Sequence, residues 1–259
     1  MKLFWEHDMK KLKRKLKALA FATILILGLT LGVSKVATVS NTVNGKELPI
    51  YSVETDEKKV ALSFDAAWGN EDTQKILDIL AKYNVHATFF MTGSWVEKYP
   101  EDVKRIYEAG HDLANHSENH KNMSQLSPEE CQKELMLVHE KVKKLTGVEM
   151  QLFRPPYGDY DNEVIKNAKA CGYYTIQWDV DSLDWKDYGV DSIIKTVTEH
   201  KNLRNGSIIL MHNGAKYTAE ALPDVIEKIQ EKGYKIATVS ELIYKDDYHL
   251  DVTGRQIKN

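Results

Sequence analysis

His116-Ser117-Glu118-Asn119-His120 sets two imidazoles four residues apart, a spacing at which one helical turn brings both side chains onto the same face. Neutral imidazole is the commonest protein ligand for zinc, so the pair reads as a candidate site for one metal ion, its other positions left to a carboxylate, water and substrate. Taken alone, the segment equally describes a polar helix start with two solvated histidines. Asp65, Arg154, Asp181, Asp184, Trp185 and His212 are the other residues of chemical interest. Their weight comes from the elements that carry them.

Short apolar runs at Val60 to Phe64, Ala87 to Met91, His111 to Asn115, Leu152 to Arg154, Tyr173 to Trp178, Ser207 to His212 and Lys235 to Val239 read as seven strands. Helical patterns lie between them: around Ile76, Leu77, Leu80 and Tyr83, and at Val96 to Ala109, Pro128 to Thr146, Asp161 to Ala170, Ser192 to His200 and Thr218 to Glu231. Ser127-Pro128-Glu129-Glu130 supplies an N-cap, an N1 proline and an acidic first turn, and Gly110, Gly147, Gly172 and Gly233 stand where helices should stop. Alternation of this kind predicts an α/β fold with a parallel sheet, doubly wound or closed into a distorted barrel of seven strands with surrounding helices. In both architectures function collects at the C-terminal ends of the strands. Asp65, the histidine pair, Arg154, Asp181 with Asp184 and Trp185, and His212 all follow such ends. Five strand ends converging on one rim favour a metal site over solvated histidines.

A chain of 259 residues with 42% apolar content can bury one sizeable core, so one catalytic domain is expected, as a monomer. Residues 1–17 carry seven basic and two acidic side chains, a net +5, so the rest of the chain carries −8 and offers no nucleic-acid surface. The basic cluster runs into an apolar stretch from Ala18 to Val33, the order of a signal anchor or signal peptide. Positive charge ahead of that stretch keeps the N-terminus cytoplasmic and sends the remainder across the membrane, either anchored or, after cleavage, secreted. Residues 34–57 read as a stem and 244–259 as a C-terminal tail. Cys131 and Cys171 make no disulfide framework and read as small apolar residues.

In this order, Ser63-Phe64-Asp65-Ala66-Ala67, His116-Ser117-Glu118-Asn119-His120, Arg154-Pro155-Pro156-Tyr157-Gly158, Asp181-Ser182-Leu183-Asp184-Trp185 and Leu210-Met211-His212-Asn213 resemble the five motifs of the polysaccharide deacetylases with a NodB-homology domain, the fourth carbohydrate-esterase family. The resemblance covers residues 58–243 and looks closest to the sporulation-type deacetylases, which carry a similar Phe-Asp-x-x-Trp-Gly first motif. It implies metal-dependent hydrolysis of an N-acetyl group on an amino-sugar polymer such as peptidoglycan. It further implies Asp65 as general base, Arg154 as the residue orienting it, His212 as general acid and Asp184 as its partner. Trp185 and Leu210 would line a slot for the acetyl methyl, and the Tyr157 backbone N–H would stabilise the oxyanion. His116 and His120 would hold a divalent metal, zinc or else cobalt or manganese.

One position departs from that pattern. Family members usually place a second aspartate, a metal ligand, directly after the base; here it is Ala66, which has no donor atom. Asp65 could turn onto the metal, water or substrate oxygens could fill the position, or the domain could bind glycan without hydrolysing it. An esterase removing O-acetyl groups would use the same machinery. Glu71 and Asp72 read as helix-start residues, not substitutes.

Overall fold

The computed structural model describes residues 39–259. The expected basic N-terminus, the apolar segment 18–33 and the first residues of the stem lie outside them. No helix of the described residues is long and apolar enough to cross a membrane.

All seven expected strands are present, as β1 (Lys59–Ala66), β2 (Thr88–Met91), β3 (Asp112–Asn115), β4 (Leu152–Phe153), β5 (Tyr174–Thr175), β7 (Ile208–Asn213) and β8 (Lys235–Ala237). A two-residue strand, β6 (Val180–Asp181), adds an eighth. They pair in parallel in the order β6-β7-β1-β2-β3-β4-β5, with β8 on the first residues of β1. The sheet curls but does not close as the expected barrel would: β5 and β6 are its two edges, linked by residues 176–179 and not by a strand ladder.

Period-2 alternation sorts β1 into two environments. Val60, Leu62, Phe64 and Ala66 join the outer apolar layer with helix residues such as Ile76, Leu80, Leu135 and Val225. Ala61 instead joins Phe90, Ala114, Leu152, Ile176 and Ile208 inside the curl. The helices of the outer layer are α1 (Thr73–Lys82), α2 (Gly93–Lys98), α3 (Pro100–Glu108), α4 (Pro128–Thr146), α5 (Asn162–Ala170), α6 (Val190–Thr198) and α7 (Thr218–Glu231). α4 begins with the full capping box of Ser127 and Glu130 and stops at left-handed Gly147. The single helix expected from Val96 to Ala109 is two, α2 and α3, because Pro100 lacks the N–H that would continue the turn.

The stretch expected as a stem is partly structural, and so is the expected tail. Val39–Ser40, Ser52–Val53, Tyr248–Leu250 and Arg255–Lys258 form a second, four-stranded sheet. Ile50, Val53, Tyr248 and Leu250 are buried within the inner cluster, beside Val239 and Leu242 of a last short helix, α8 (Val239–Leu242). A curled sheet leaves an apolar interior that needs covering, and the segment ahead of β1 and the C-terminal strands supply cover through Ile50, Val53, Tyr248 and Leu250.

His111 has a consequence for stability. It is buried, its Nδ1 accepts a hydrogen bond from the Ala87 N–H at 3.2 Å, and burial, with His86 alongside, pulls its pKa down to about 4. Unfolded, the imidazole takes up a proton near pH ~6.5, so between that pH and 4 the unfolded state holds more protons. Its contribution to stability is therefore complete above that window and falls as the pH drops through it, by up to about 3 kcal/mol. His111→Gln, which does not titrate, should flatten this part of the pH dependence in urea unfolding at pH ~7 and ~5; an unchanged slope would show that the imidazole is not the cause.

Candidate active site

Asp65, the last but one residue of β1, faces the inside of the curl. Its Oδ1 accepts from Arg154 Nη1 at 2.6 Å, and Arg154 Nη2 donates to Ser63 Oγ at 2.9 Å and to the Gln177 carbonyl at 3.3 Å. Arg154 is fully buried, its guanidinium 4.0 Å from the Phe90 ring centre and 5.5 Å from that of Trp178. Burial pushes the Asp65 carboxyl up, but Arg154, with His116 and His212 nearby, outweighs it and holds the group below its ordinary value. The ionised form is the one a base requires.

The histidine pair is brought together differently from expectation. Residues 116–120 form no helix; they are a loop after β3 with Ser117 at φ 64° and His120 at φ 54°. The two rings nevertheless meet with centroids 4.9 Å apart. Asn115 Oδ1 accepts from the Ser117 N–H at 2.9 Å, Ser117 Oγ from the His120 N–H at 3.1 Å, and Glu134 of α4 grips Asn119 through its N–H and its amide at 2.7 and 2.8 Å. Side-chain bonds of this kind let the loop hold left-handed residues that a helix excludes. His116 Nδ1 donates to the Arg154 carbonyl at 2.7 Å, leaving Nε2 as the lone-pair nitrogen, 3.5 Å from Asp65 Oδ2. Burial pulls His116 down to about 4 and lowers His120 as well, so both rings are neutral at pH ~7.

His212, opposite Asp65 in the β7–β1 ladder, is bound to Asp184 twice. Asp184 Oδ1 accepts from His212 Nδ1 at 2.7 Å and Oδ2 from the His212 N–H at 2.8 Å, and Oδ2 also takes the Thr218 hydroxyl at 2.6 Å. Burial alone would depress the imidazole, but the Asp184 hydrogen bond and charge, with Asp65 and Asp181 adding to them, raise its pKa above the ordinary value. The result is a histidine that holds its proton to higher pH than a free imidazole.

Asp65, His116, His120 and His212 share one cleft of about 510 Å³, which Tyr157, Trp185 and Leu210 also line, so every residue predicted to touch substrate or metal meets there, with Arg154 and Asp184 buried behind it. Tyr157 carries a left-handed backbone, φ 60°, and its ring stands edge-on to His120 with centroids 4.5 Å apart. Asp181 lines the cleft and also caps its own loop by accepting from the Leu183 N–H at 2.9 Å. Asp72, at the N-terminus of α1, accepts from the Gly214 N–H at 2.9 Å and so ties the loop after β1 to the loop after β7.

Sequence reasoning passed over Trp68 as a site residue. Its ring stacks on His212 with centroids 5.1 Å apart and 23° between planes. Gly214, at φ +91°, makes room for it: a Cβ there would stand 3.3 Å from Gly69 backbone atoms and 3.6 Å from the Trp68 Cβ. A tryptophan three residues past a strand-end aspartate was the available signal.

The donor set suits a divalent ion only in part. His116 and His120 present neutral nitrogens to the cleft, whereas Asp65 Oδ1 is committed to Arg154 and Ala66 sits fully buried in the outer apolar layer. Among the described residues no three His, Cys, Asp or Glu side chains group as a metal site.

The chain belongs to the polysaccharide deacetylases: the sequence pattern of that family matches residues 52–176. PdaA of Bacillus subtilis, a peptidoglycan-N-acetylmuramic acid deacetylase, is 35% identical over 208 residues, 77% of this chain and 77% of PdaA. YlxY of the same organism is 38% identical over 195 residues, 75% of this chain and 60% of YlxY. BA3943 of Bacillus anthracis, a pseudoenzyme of carbohydrate-esterase family 4, matches in structure with TM-score 0.73 at 35% identity, over 81% of this chain and 70% of that one. A BA3943 mutant with restored enzymatic activity matches with the same TM-score at 36% identity, over 81% and 73%. The domain is thus a NodB-homology domain of family 4.

Proposed function

We propose that this chain hydrolyses N-acetyl groups on an amino-sugar polymer of the cell envelope, peptidoglycan or a related spore glycan. The observation that carries the reading is a pair of couples facing one cleft: Asp65, hydrogen-bonded to Arg154 at 2.6 Å, and His212, hydrogen-bonded to Asp184 at 2.7 Å. Asp65 takes a proton from a water whose oxygen attacks the amide carbonyl carbon. His212 gives a proton to the nitrogen as the carbon–nitrogen bond breaks, so acetate and a free amine leave. The Tyr157 backbone N–H faces the developing oxyanion, and Leu210 and Trp185 enclose the methyl. His116 and His120 are the residues that would hold zinc, cobalt or manganese. What such an ion supplies when bound is Lewis acidity toward the carbonyl and a more acidic water. The apolar segment 18–33 carries the domain outside the cytoplasm, anchored or released.

The full chain should release acetate and free amine in equal amounts from N-acetylglucosamine oligomers or peptidoglycan with one of those metals present. A folded protein that releases none from any glycan with any of them leaves the second reading, glycan binding without turnover. Ala66 and the likeness to BA3943 favour that reading specifically.

A further inference from the structure

Behind the histidine loop, a chain of hydrogen-bonded polar groups runs from Glu149 at the surface through His139 and Tyr173 to Asn115, the last residue of β3. Asn115 is fully buried, His139 of α4 is 7% exposed, and Tyr173, directly ahead of β5, is 4% exposed. Tyr173 belongs to the outer apolar layer that also holds Leu135, Val138, Val142 and Phe153. We propose that Tyr173, with His139 behind it, is a positioning residue for the histidine pair and acts through the Asn115 amide. The proposal rests on the reading of His116 and His120 as the metal ligands of a deacetylase, and deepens it.

The direction of each hydrogen bond follows from its ends. The Glu149 carboxylate can only accept, so His139 Nε2 carries the hydrogen across 2.7 Å and Nδ1 is the lone-pair nitrogen of the neutral ring. Burial pushes the Tyr173 phenol up, so it keeps its proton and donates it to His139 Nδ1 at 2.6 Å. The Tyr173 oxygen in turn accepts from Asn115 Nδ2 at 2.9 Å, and the Leu135 carbonyl of α4 accepts from the same nitrogen at 2.9 Å. With both hydrogens engaged the amide is fixed, and its Oδ1 faces the Ser117 N–H at 2.9 Å. That bond closes a turn around His116, and the Ser117 hydroxyl then accepts from the His120 N–H. A reversed amide would set N–H against N–H at Ser117 and oxygen against oxygen at Leu135.

Packing alone does not call for this chemistry. A phenylalanine at 173 would keep the ring contacts with His139 and Phe153, at centroid separations of 5.9 and 6.4 Å. It would leave one Asn115 N–H and His139 Nδ1 without partners in an apolar layer, a cost the amide relieves by turning or withdrawing. The loop then loses the bond that holds Ser117 at φ 64° between the two imidazoles.

The test is Tyr173→Phe in the full chain, read by amide hydrogen exchange without metal and by calorimetric titration with zinc. Exchange at the Ser117 and His120 amides should quicken about tenfold relative to the amides of β1 and β2, the scale of one buried hydrogen bond. Zinc should bind about tenfold more weakly, the lower end of what outer partners of a metal site are worth. His139→Leu should move both readouts in the same direction, and it decides the matter if Tyr173→Phe does not fold. His139→Gln, whose amide oxygen can take the Tyr173 hydroxyl, should keep the parental zinc affinity within about twofold. A merely structural Tyr173 would quicken all amides by one common factor and leave zinc affinity unchanged, and that result overturns the proposal. A parent that binds no zinc removes the metal reading alone, because the exchange ratio still decides whether Tyr173 holds the loop.

Discussion

Asp65→Asn is expected to lower acetate release by about 10²–10⁴-fold, the range for losing a general base. It should also destabilise the domain by about 3–5 kcal/mol, because Arg154 would remain fully buried with its ionic partner neutralised. Asp65 and Arg154 make a 2.6 Å ion pair inside the sheet, and the other guanidinium contacts, to Ser63 and the Gln177 carbonyl, carry no formal charge. The two effects separate in the double variant Asp65→Asn with Arg154→Met. Removing both charges should recover part of the stability, since no unpaired buried charge remains although the new amide at position 65 is left polar, but none of the activity. Urea unfolding and acetate release on the same preparations check both. An Asp65→Asn protein that keeps near-parental turnover would remove this residue from the chemistry.

Ala66→Asp carries the second large effect, and its sign depends on metal. Ala66 lies at the end of β1 with its side chain in the outer apolar layer, on the same face of the strand as Phe64, while its carbonyl accepts from the Thr92 N–H at 3.1 Å. Met91, opposite it in the ladder, in turn accepts from the His116 N–H at 3.0 Å, so position 66 stands close to the histidine loop across the strand-end backbone. A carboxylate left in the apolar layer costs about 2–4 kcal/mol, and without metal Ala66→Asp should unfold earlier by that order. Turned over the strand end toward His116 and His120, it becomes a third donor. Zinc affinity should then rise by more than the about 10–100-fold that outer partners of a metal site are worth. Zinc at a hundred times the new Kd would return about 2.7 kcal/mol of stability. Calorimetric titration of both proteins and melting with and without zinc measure these quantities. Equal zinc affinity in parent and variant would mean that position 66 does not face the histidines.

Much of the frame was legible in the chain. α4 could be bounded at both ends because Ser127, Pro128, Glu130 and Gly147 act on the turns they adjoin. The strands could be found because each is a short apolar run, and their ends identified the rim where Asp65, His116, Arg154, Asp184 and His212 gather. Val180–Asp181 was missed because Val180 stands alone between Asp179 and Asp181, with no apolar run to mark a strand. The helical reading of the His116–His120 spacing failed because the loop is shaped by Asn115, Ser117 and Glu134, and Glu134 lies fifteen residues beyond Asn119 on another element.

The sequence by itself determined which residues could do chemistry and at which strand ends they stand, since residue type and local periodicity are properties of short segments. Only the tertiary structure decided what each of them touches. It set Arg154 against an aspartate 89 positions away, folded the segment ahead of β1 and the C-terminal strands into the cover of the sheet, laid Trp68 on His212, and left β5 and β6 as unpaired edges. Those outcomes depend on sheet curvature and on burial shared among distant segments, and no local pattern encodes either.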